Sequence, residues 1–310
     1  MKIRAVDEFL RDHLRARPLR AKSLVVTVFG DAIAPHGGAV WLGGLIRLLA
    51  PFGINERAVR TTVFRLTREH WLRGEQVGRR SHYTLTESGR RRFEAAFRKI
   101  YGAEPTGWDG QWCLVIESGD GLAGPRRKAL RDELAWIGFG RFAGGVLAHP
   151  TIDLDAVAAI LAEHRADPHV LVMRATCDIG RERAALAGAI RSAWDLERLE
   201  RDYRAFVQRF RPVLAALGKP SPDALDPEQC FLVRTLLIHE YRRVVLRDPV
   251  LPAELLPREW PGAAARALCR SLYQVTQRLT EQHLMATLQT PDGPLPQAAD
   301  YFYARFGGLA

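Results

Sequence analysis

Between Ser23 and Tyr101 the apolar residues are spaced first as in helices, then as in strands, then as in a helix again. Leu24, Val25, Val28 and Phe29 share one helical face, which predicts a helix over 23–33 that runs into the Pro/Gly break from Asp31 to Gly38. A second apolar run predicts a helix from Val40 to Phe52, stopped near Pro51 and Gly53. Asn55 is a good N-cap, and Ala58, Val59, Val63 and Leu66 follow it on one face of a third helix reaching Trp71. Trp71–Gly74 and Ser81–Leu85 are strand-like runs around a polar turn, 75–80, that contains Gly78. Thr86 caps a basic helix, 87–101, that ends at Gly102.

The next stretch alternates in kind. Trp112–Ser118, Phe142–Ala148 and His169–Ala175 read as strands, with helices over Pro125–Ile137 and Leu154–His164 between them. The β-α-β-α-β order predicts a small ferredoxin-like α+β layer with room for a further edge strand. From residue 180 the chain is almost wholly helical, with runs over 191–217, 227–246 and 261–288 and a Pro-rich connector at 248–257. The expected class is α+β, with domains over 1–104 (winged helix-turn-helix), 105–179 (ferredoxin-like) and 180–310 (helical).

Charge changes this picture. The 310 residues carry a net +10, but residues 1–100 hold 20 of the 45 Lys and Arg and only 9 of the 35 Asp and Glu. That is +11 on the first third and −1 on the rest, the footprint of a polyanion-binding module on a neutral body. Four cysteines lie far apart with no C-x-x-C spacing, so they read as buried thiols of a cytosolic protein, with no disulfide frame, metal or cofactor expected. The charged N-terminus lacks a signal core, and no run approaches the ~18 apolar residues of a membrane helix.

On the third helix, Arg57, Arg60, Thr61, Arg65 and Arg68 occupy about one third of the circumference, opposite Ala58, Val59, Thr62, Val63 and Leu66. An α-helix fits the major groove, where arginine forks match guanine and also hold phosphates. Phe64 lies on this basic face, where an apolar base edge such as a thymine methyl would suit it. The following hairpin makes a wing whose tip carries Arg79 and Arg80, suited to phosphate or the minor groove. Arg90–Arg92, Arg98 and Lys99 extend the basic surface. The competing readings are a solvated bundle face and RNA binding; no aromatic stacking platform of the RNA-recognition type accompanies the basic residues.

Several stretches imitate catalytic motifs. Gly119–Gly124 fits G-x-G-x-x-G between a strand and a helix, but the second strand ends Ala148-His149-Pro150 without the acid a ribose needs. His239-Glu240-Tyr241-Arg242-Arg243 begins like a zinc-protease helix and lacks the second histidine. His164 and His169 flank Asp167 near a helix end, more in the manner of surface residues than of a metal site. No nucleophile elbow, P-loop or Cys/His dyad asks for an enzyme. In the 227–246 helix, Arg234, His239, Glu240, Arg242 and Arg243 punctuate an apolar run. Such a surface suits an anionic, partly apolar ligand, and it equally suits an Arg–Glu cluster holding helices together.

Taken together, S-L-V-V-T-V-F-G-D at 23–31, I-N-E-R-A-V-R-T-T-V-F-R-L at 54–66, G-R-R-S-H-Y-T-L-T at 78–86, W-D-G-Q-W at 108–112, H-E-Y-R-R at 239–243, D-P-x-L-P-x-E-L-L-P at 248–257 and W-P-G at 260–262 resemble the PaaX family of bacterial repressors of phenylacetic acid catabolism. The resemblance covers about residues 20–290. It implies a winged helix, a Cas2-like middle domain and a helical C-terminal domain. It also implies a homodimer on a palindromic operator, released by an aryl-acetyl-CoA, typically phenylacetyl-CoA, with no membrane partner. His239, Tyr241, Arg242 and Arg243 are the candidate effector contacts. Two rival readings are a metal-dependent nuclease using the Cas2-like layer and an enzyme acting on CoA thioesters. Cas2-like nucleases place an Asp at the end of the first strand, where this chain has Glu117-Ser118.

Overall fold

The computed structural model describes residues 1–102, 107–118, 122, 124–151, 154–177, 179–219, 221 and 224–309, with residues 179–183 as backbone only. The chain forms two compact units, one made of 1–103, 205–245 and 263–310, the other of 104–204 and 246–262.

The first unit opens with α1 (Arg4–Ala16), a helix the sequence pattern does not announce, although Val6, Leu10 and His13 bury one stripe of it. Helix α2 (Ala21–Val28) buries Leu24, Val25 and Val28 and then widens into a π-helical turn over Phe29–Ile33. The expected helix over 23–33 is therefore α-helical only to Val28. Gly30 allows the turn to sit against α5: a Cβ there would lie 2.8 Å from the Phe93 ring. The run at 40 does not begin as a helix, because Ala39–Trp41 is strand β1, paired with β3, and α3 follows over Leu42–Leu49. Helix α4 spans Glu56–Arg68, β2 Leu72–Val77, β3 Arg80–Leu85 and α5 Glu87–Tyr101. Strands β1, β3 and β2 make one antiparallel sheet in that order. Gly78 turns the β2–β3 hairpin at φ +60°, a left-handed conformation that favours glycine.

The second unit holds β4 (Gln111–Glu117), α6 (Gly124–Trp136), β5 (Gly140–Ala143), β6 (Val146–His149), α7 (Leu154–Glu163) and β7 (Val170–Thr176). The single strand expected over Phe142–Ala148 is two strands, since Gly144 and Gly145 open a hairpin in the middle of that run. The sheet is fully antiparallel in the order β5-β6-β4-β7, the arrangement of a ferredoxin-like β-α-β-β-α-β layer. Val115, Leu130, Leu134, Leu147, Val157 and Leu161 form its core. Most of the Gly119–Gly124 turn (Gly119, Asp120, Gly121 and Ala123) lies outside the described residues.

Helices α8 (Ile179–Trp194) and α9 (Leu196–Leu217) divide the long run expected over 191–217, because Asp195 takes φ +46° between them. The second half of α9, α10 (Pro227–Val245), α11 (Gly262–Thr287), the short β8 (Gln289–Thr290) and β9 (Gly293–Pro294) strands and α12 (Asp300–Tyr303) belong largely to the first unit. There α10 packs on α1, α2 and α5, so the winged helix and the C-terminal helices share one body. Among the described residues no helix is long and apolar enough to cross a membrane.

Candidate nucleic-acid interface

Helix α4 starts where the sequence predicts. Asn55 Oδ1 accepts the Ala58 amide at 2.9 Å, which satisfies a donor of the first turn and fixes the rotation of the helix. Val59, Thr62, Val63 and Leu66 are buried against α2 and α3. Arg57, Arg60, Thr61, Arg65 and Arg68 are all exposed on the other side. Phe64 stands among them with 60% of its surface open to solvent. Arg60 lies 2.7 Å from the Glu56 carboxylate one turn back, a pair in which both partners are more than half exposed. Such a pair contributes about 0–1 kcal/mol, so Glu56 occupies Arg60 without committing it. At its far end, α4 is tied to α2 by Lys22, which donates to both Glu69 oxygens at 2.6 and 2.7 Å.

At the wing, Arg79 and Arg80 are exposed. The Arg80 guanidinium lies 4.0 Å from the Trp41 ring centre, and Trp41 is itself held by its indole N–H donating to the Thr290 carbonyl at 2.8 Å. Thr86 Oγ1 accepts the Gly89 amide at 3.0 Å and starts α5, whose Arg90, Arg91, Arg92 and Arg98 are exposed. Helix α4, the β2–β3 hairpin and α5 thus each present exposed arginines, and α4 adds the exposed Phe64 ring.

The candidate effector residues do not converge. His239 is buried on α10, with Nδ1 3.0 Å from Thr27 Oγ1. The Thr27 hydroxyl donates to the Ser23 carbonyl at 2.9 Å, so His239 Nδ1–H donates to Thr27. Tyr241 is buried with its ring 5.4 Å from that of Phe206. Arg242 donates to the Ser23 carbonyl and hydroxyl at 3.2 and 3.1 Å. Arg243 is exposed, and with His239 it borders a cavity of about 330 Å³ also lined by Arg17, Pro18, Leu19, Arg20, Ser23 and Glu240.

Burial, reinforced by Arg242 and Arg243, pushes the His239 imidazole down to about 4. The unfolded chain then binds the proton more readily between its ordinary value near 6.5 and 4. Stability is complete above that window and falls as pH drops through it, by up to roughly 3 kcal/mol from this one residue. Urea unfolding across pH 4–7 is expected to show that decline, and His239→Gln to flatten it. An unchanged slope in the variant refutes the assignment.

In the second unit, the Glu117 carboxylate is held on both oxygens by Arg131, at 2.6 and 2.7 Å, and the hydrogen bond to Arg131 moves it below the usual carboxylate range. Asp120 lies outside the described residues. His164 Nε2 is 2.6 Å from Glu133. Among the described residues no group of three or more His, Cys, Asp or Glu could hold a metal ion.

Sequence reasoning missed a buried charge network in the first unit. From the π-helical turn, the Asp31 carboxylate accepts from Tyr101 Oη at 2.7 Å, Tyr273 Oη at 3.0 Å, Arg305 at 3.0 Å and Arg234 Nε at 2.9 Å. Arg234 donates onward to Glu281 at 2.7 Å, whose other oxygen lies 2.9 Å from His36. Both arginine side chains are fully buried, and rings of Tyr273, Phe302 and Tyr101 lie against them. Arg234, Arg305 and Glu281 are far from Asp31 in sequence, and the only local sign of the network is a charged Arg inside the apolar run of α10.

A helix-turn-helix pair with a two-stranded wing, in a chain whose middle is an antiparallel ferredoxin-like layer, defines a winged-helix protein with an inserted α+β unit. Three family descriptions match in register with these parts: "PaaX-like protein" over 20–89, "PaaX protein central Cas2-like domain" over 105–187 and "PaaX-like protein C-terminal domain" over 194–286. The chain is 38% identical over 304 residues to the Escherichia coli (strain K12) protein named Transcriptional repressor PaaX, covering 98% of this chain and 95% of that one. The chain belongs to the PaaX family. It is also similar to the solved structure of the uncharacterized protein Rv0674 from Mycobacterium tuberculosis, at 26% identity and a TM-score of 0.46 over 78% of this chain and 90% of that one.

Proposed function

We propose that this chain is a ligand-responsive transcriptional repressor that binds operator DNA through α4 and its wing. The observation that carries this reading is the division of α4, with its apolar face buried in the winged helix and Arg57, Arg60, Thr61, Arg65, Arg68 and Phe64 left exposed on the other. Arg79 and Arg80 supply the second contact. The E. coli relative named as a repressor supports the regulatory role. The effector is an aryl-acetyl-CoA such as phenylacetyl-CoA, the regulated genes serve aromatic-acid (phenylacetate) catabolism, and a homodimer spans two half-sites. Of the candidate effector contacts, His239 and Arg243 border the cavity of about 330 Å³ in the first unit, Arg242 donates to Ser23 of its lining, and Tyr241 packs on Phe206.

A DNA-retention assay with the region upstream of the protein's own gene, titrated with several acyl-CoAs, tests the whole reading. Retention of that DNA, abolished by an aryl-acetyl-CoA and kept with free CoA, is expected. No retention, or release by no acyl-CoA, refutes it. In the same assay Glu56→Gln frees Arg60 and removes one negative charge facing DNA. Affinity is expected to rise several-fold, up to about 1 kcal/mol, and a fall counts against Arg60 as a DNA-binding residue.

A further inference from the structure

Glu240 is a buried carboxylate with more cation around it than it can neutralise. Its side chain is 7% exposed, and it meets Arg209 from α9 at 2.9 Å, Arg243 from its own helix at 3.2 Å and Arg17 from the end of α1 at 3.6 Å. His13 Nε2, also buried, stands 3.9 Å from the same carboxylate and has no hydrogen-bond partner among the described residues. Arg20 and Ser23 also line the cavity, and Arg242 donates to Ser23. Burial and the neighbouring Arg17 lower the proton affinity of the Arg209 guanidinium, as expected where like charges crowd. One carboxylate thus faces three guanidinium groups, with a fourth at the rim, beside an open space of about 330 Å³.

A cationic concavity of this size, lined also by Pro18 and Leu19, matches a small multiply charged anion. A DNA backbone fits it less well, since the Glu240 carboxylate in its lining is only 7% exposed and the Arg209 paired with it only 19%. We propose that this cavity is a phosphate-binding site, in which the ligand's phosphate groups take the guanidinium groups of Arg17, Arg20 and Arg243, and Glu240 is the resident counter-ion that holds those groups in place when the ligand is absent. The site lies where α1, the α1–α2 connection and α10 meet. Helix α2, whose first turn lines it through Ser23, packs directly on α4. Occupancy is therefore positioned to shift the helix that supports the recognition surface; that regulatory half rests on the repressor reading, while phosphate binding itself does not.

Calorimetric titration of the full chain with inorganic pyrophosphate tests the site. Saturable binding is expected, weakened roughly 10- to 100-fold by Arg17→Ala combined with Arg20→Ala, two exposed residues whose loss leaves the core intact. Glu240→Gln keeps a hydrogen-bond acceptor but removes the competing charge, and is expected to tighten pyrophosphate binding several-fold. No binding by the unaltered protein, or equal affinity in all three proteins, overturns the proposal. So does unchanged pyrophosphate affinity in the arginine variant accompanied by failure to retain the operator, which would make these arginines DNA-binding residues. If the unaltered protein retains no operator DNA but the pyrophosphate pattern holds, the repressor reading fails and the site stands.

Discussion

Replacing Arg65 with Ala weakens operator binding by about 1–3 kcal/mol, roughly 5- to 150-fold, if its guanidinium forks a base edge. Replacing Arg60 as well adds a comparable loss, because the two residues share no partner and their effects should be nearly independent. Both side chains are exposed, and the buried face of α4 is untouched, so the circular dichroism and melting of the double variant should match the parent. Fluorescence anisotropy with operator and scrambled duplexes at several salt concentrations separates two roles. If the arginine reads a base, the variant loses affinity for the operator but not for the scrambled duplex, by a similar factor at every salt concentration. If it holds a phosphate, the variant binds both duplexes more weakly by the same factor, and the slope of log affinity on log salt falls by about 0.9 per phosphate. Unchanged affinity for both duplexes would take the recognition role away from α4.

This surface is legible in the sequence because its determinants are local. An N-cap, a 3.6-residue apolar period and a run of arginines fall within fourteen residues of Asn55, and each acts on its neighbours in the chain. The hairpin is legible for the same reason, through Gly78 and the two flanking runs. Where an element depends on distant partners the pattern is ambiguous. Ala39–Trp41 is a strand only because Thr84, Tyr83 and His82 lie opposite it, and an apolar run of that length fits a helix start equally well. The run over Phe142–Ala148 is apolar enough for one strand, yet the adjacent Gly144 and Gly145 turn the chain inside it. The Glu240 carboxylate draws Arg209 and Arg243 from two helices and Arg17 from the end of a third, and nothing local in any of them marks the meeting. The H-E-Y-R-R stretch fits both a ligand surface and an Arg–Glu cluster when read as sequence. Glu240 with its arginines is the second by geometry, and the excess of cations leaves space for the first.

The largest stability loss is expected at Asp31. Its carboxylate sits 3% exposed and is the shared acceptor for two arginines with no solvent contact and for two tyrosine hydroxyls. Burying ions is costly, so the intact network is weak evidence of net stabilisation, but removing one member leaves charge with no counterpart in a low-dielectric core. Asp31→Ala would leave Arg305 with only the Asp31 and Gly30 carbonyls and the Tyr273 hydroxyl, no carboxylate facing it among the described residues, and would leave Arg234 with the Glu281 carboxylate alone. About 3–5 kcal/mol of destabilisation follows, against about 1–2 for an ordinary buried polar change. Asp31→Asn keeps the shape and one acceptor, so its loss against the parent reports the charge, and the further loss in Asp31→Ala reports packing and the acceptor. The chain has two compact units, so a single melting temperature would mix them. Amide hydrogen exchange in α2, α10 and α11, which carry or adjoin the network, reads the first unit directly. Protection there should fall sharply in Asp31→Ala while β4 and β7 of the second unit keep theirs. Equal protection in parent and variant would mean that the two arginines find other partners, and that the network is not what joins the winged helix to the C-terminal helices. Because α2 also supports α4, operator affinity is expected to fall with that protection even though Asp31 itself is buried too deeply to touch DNA.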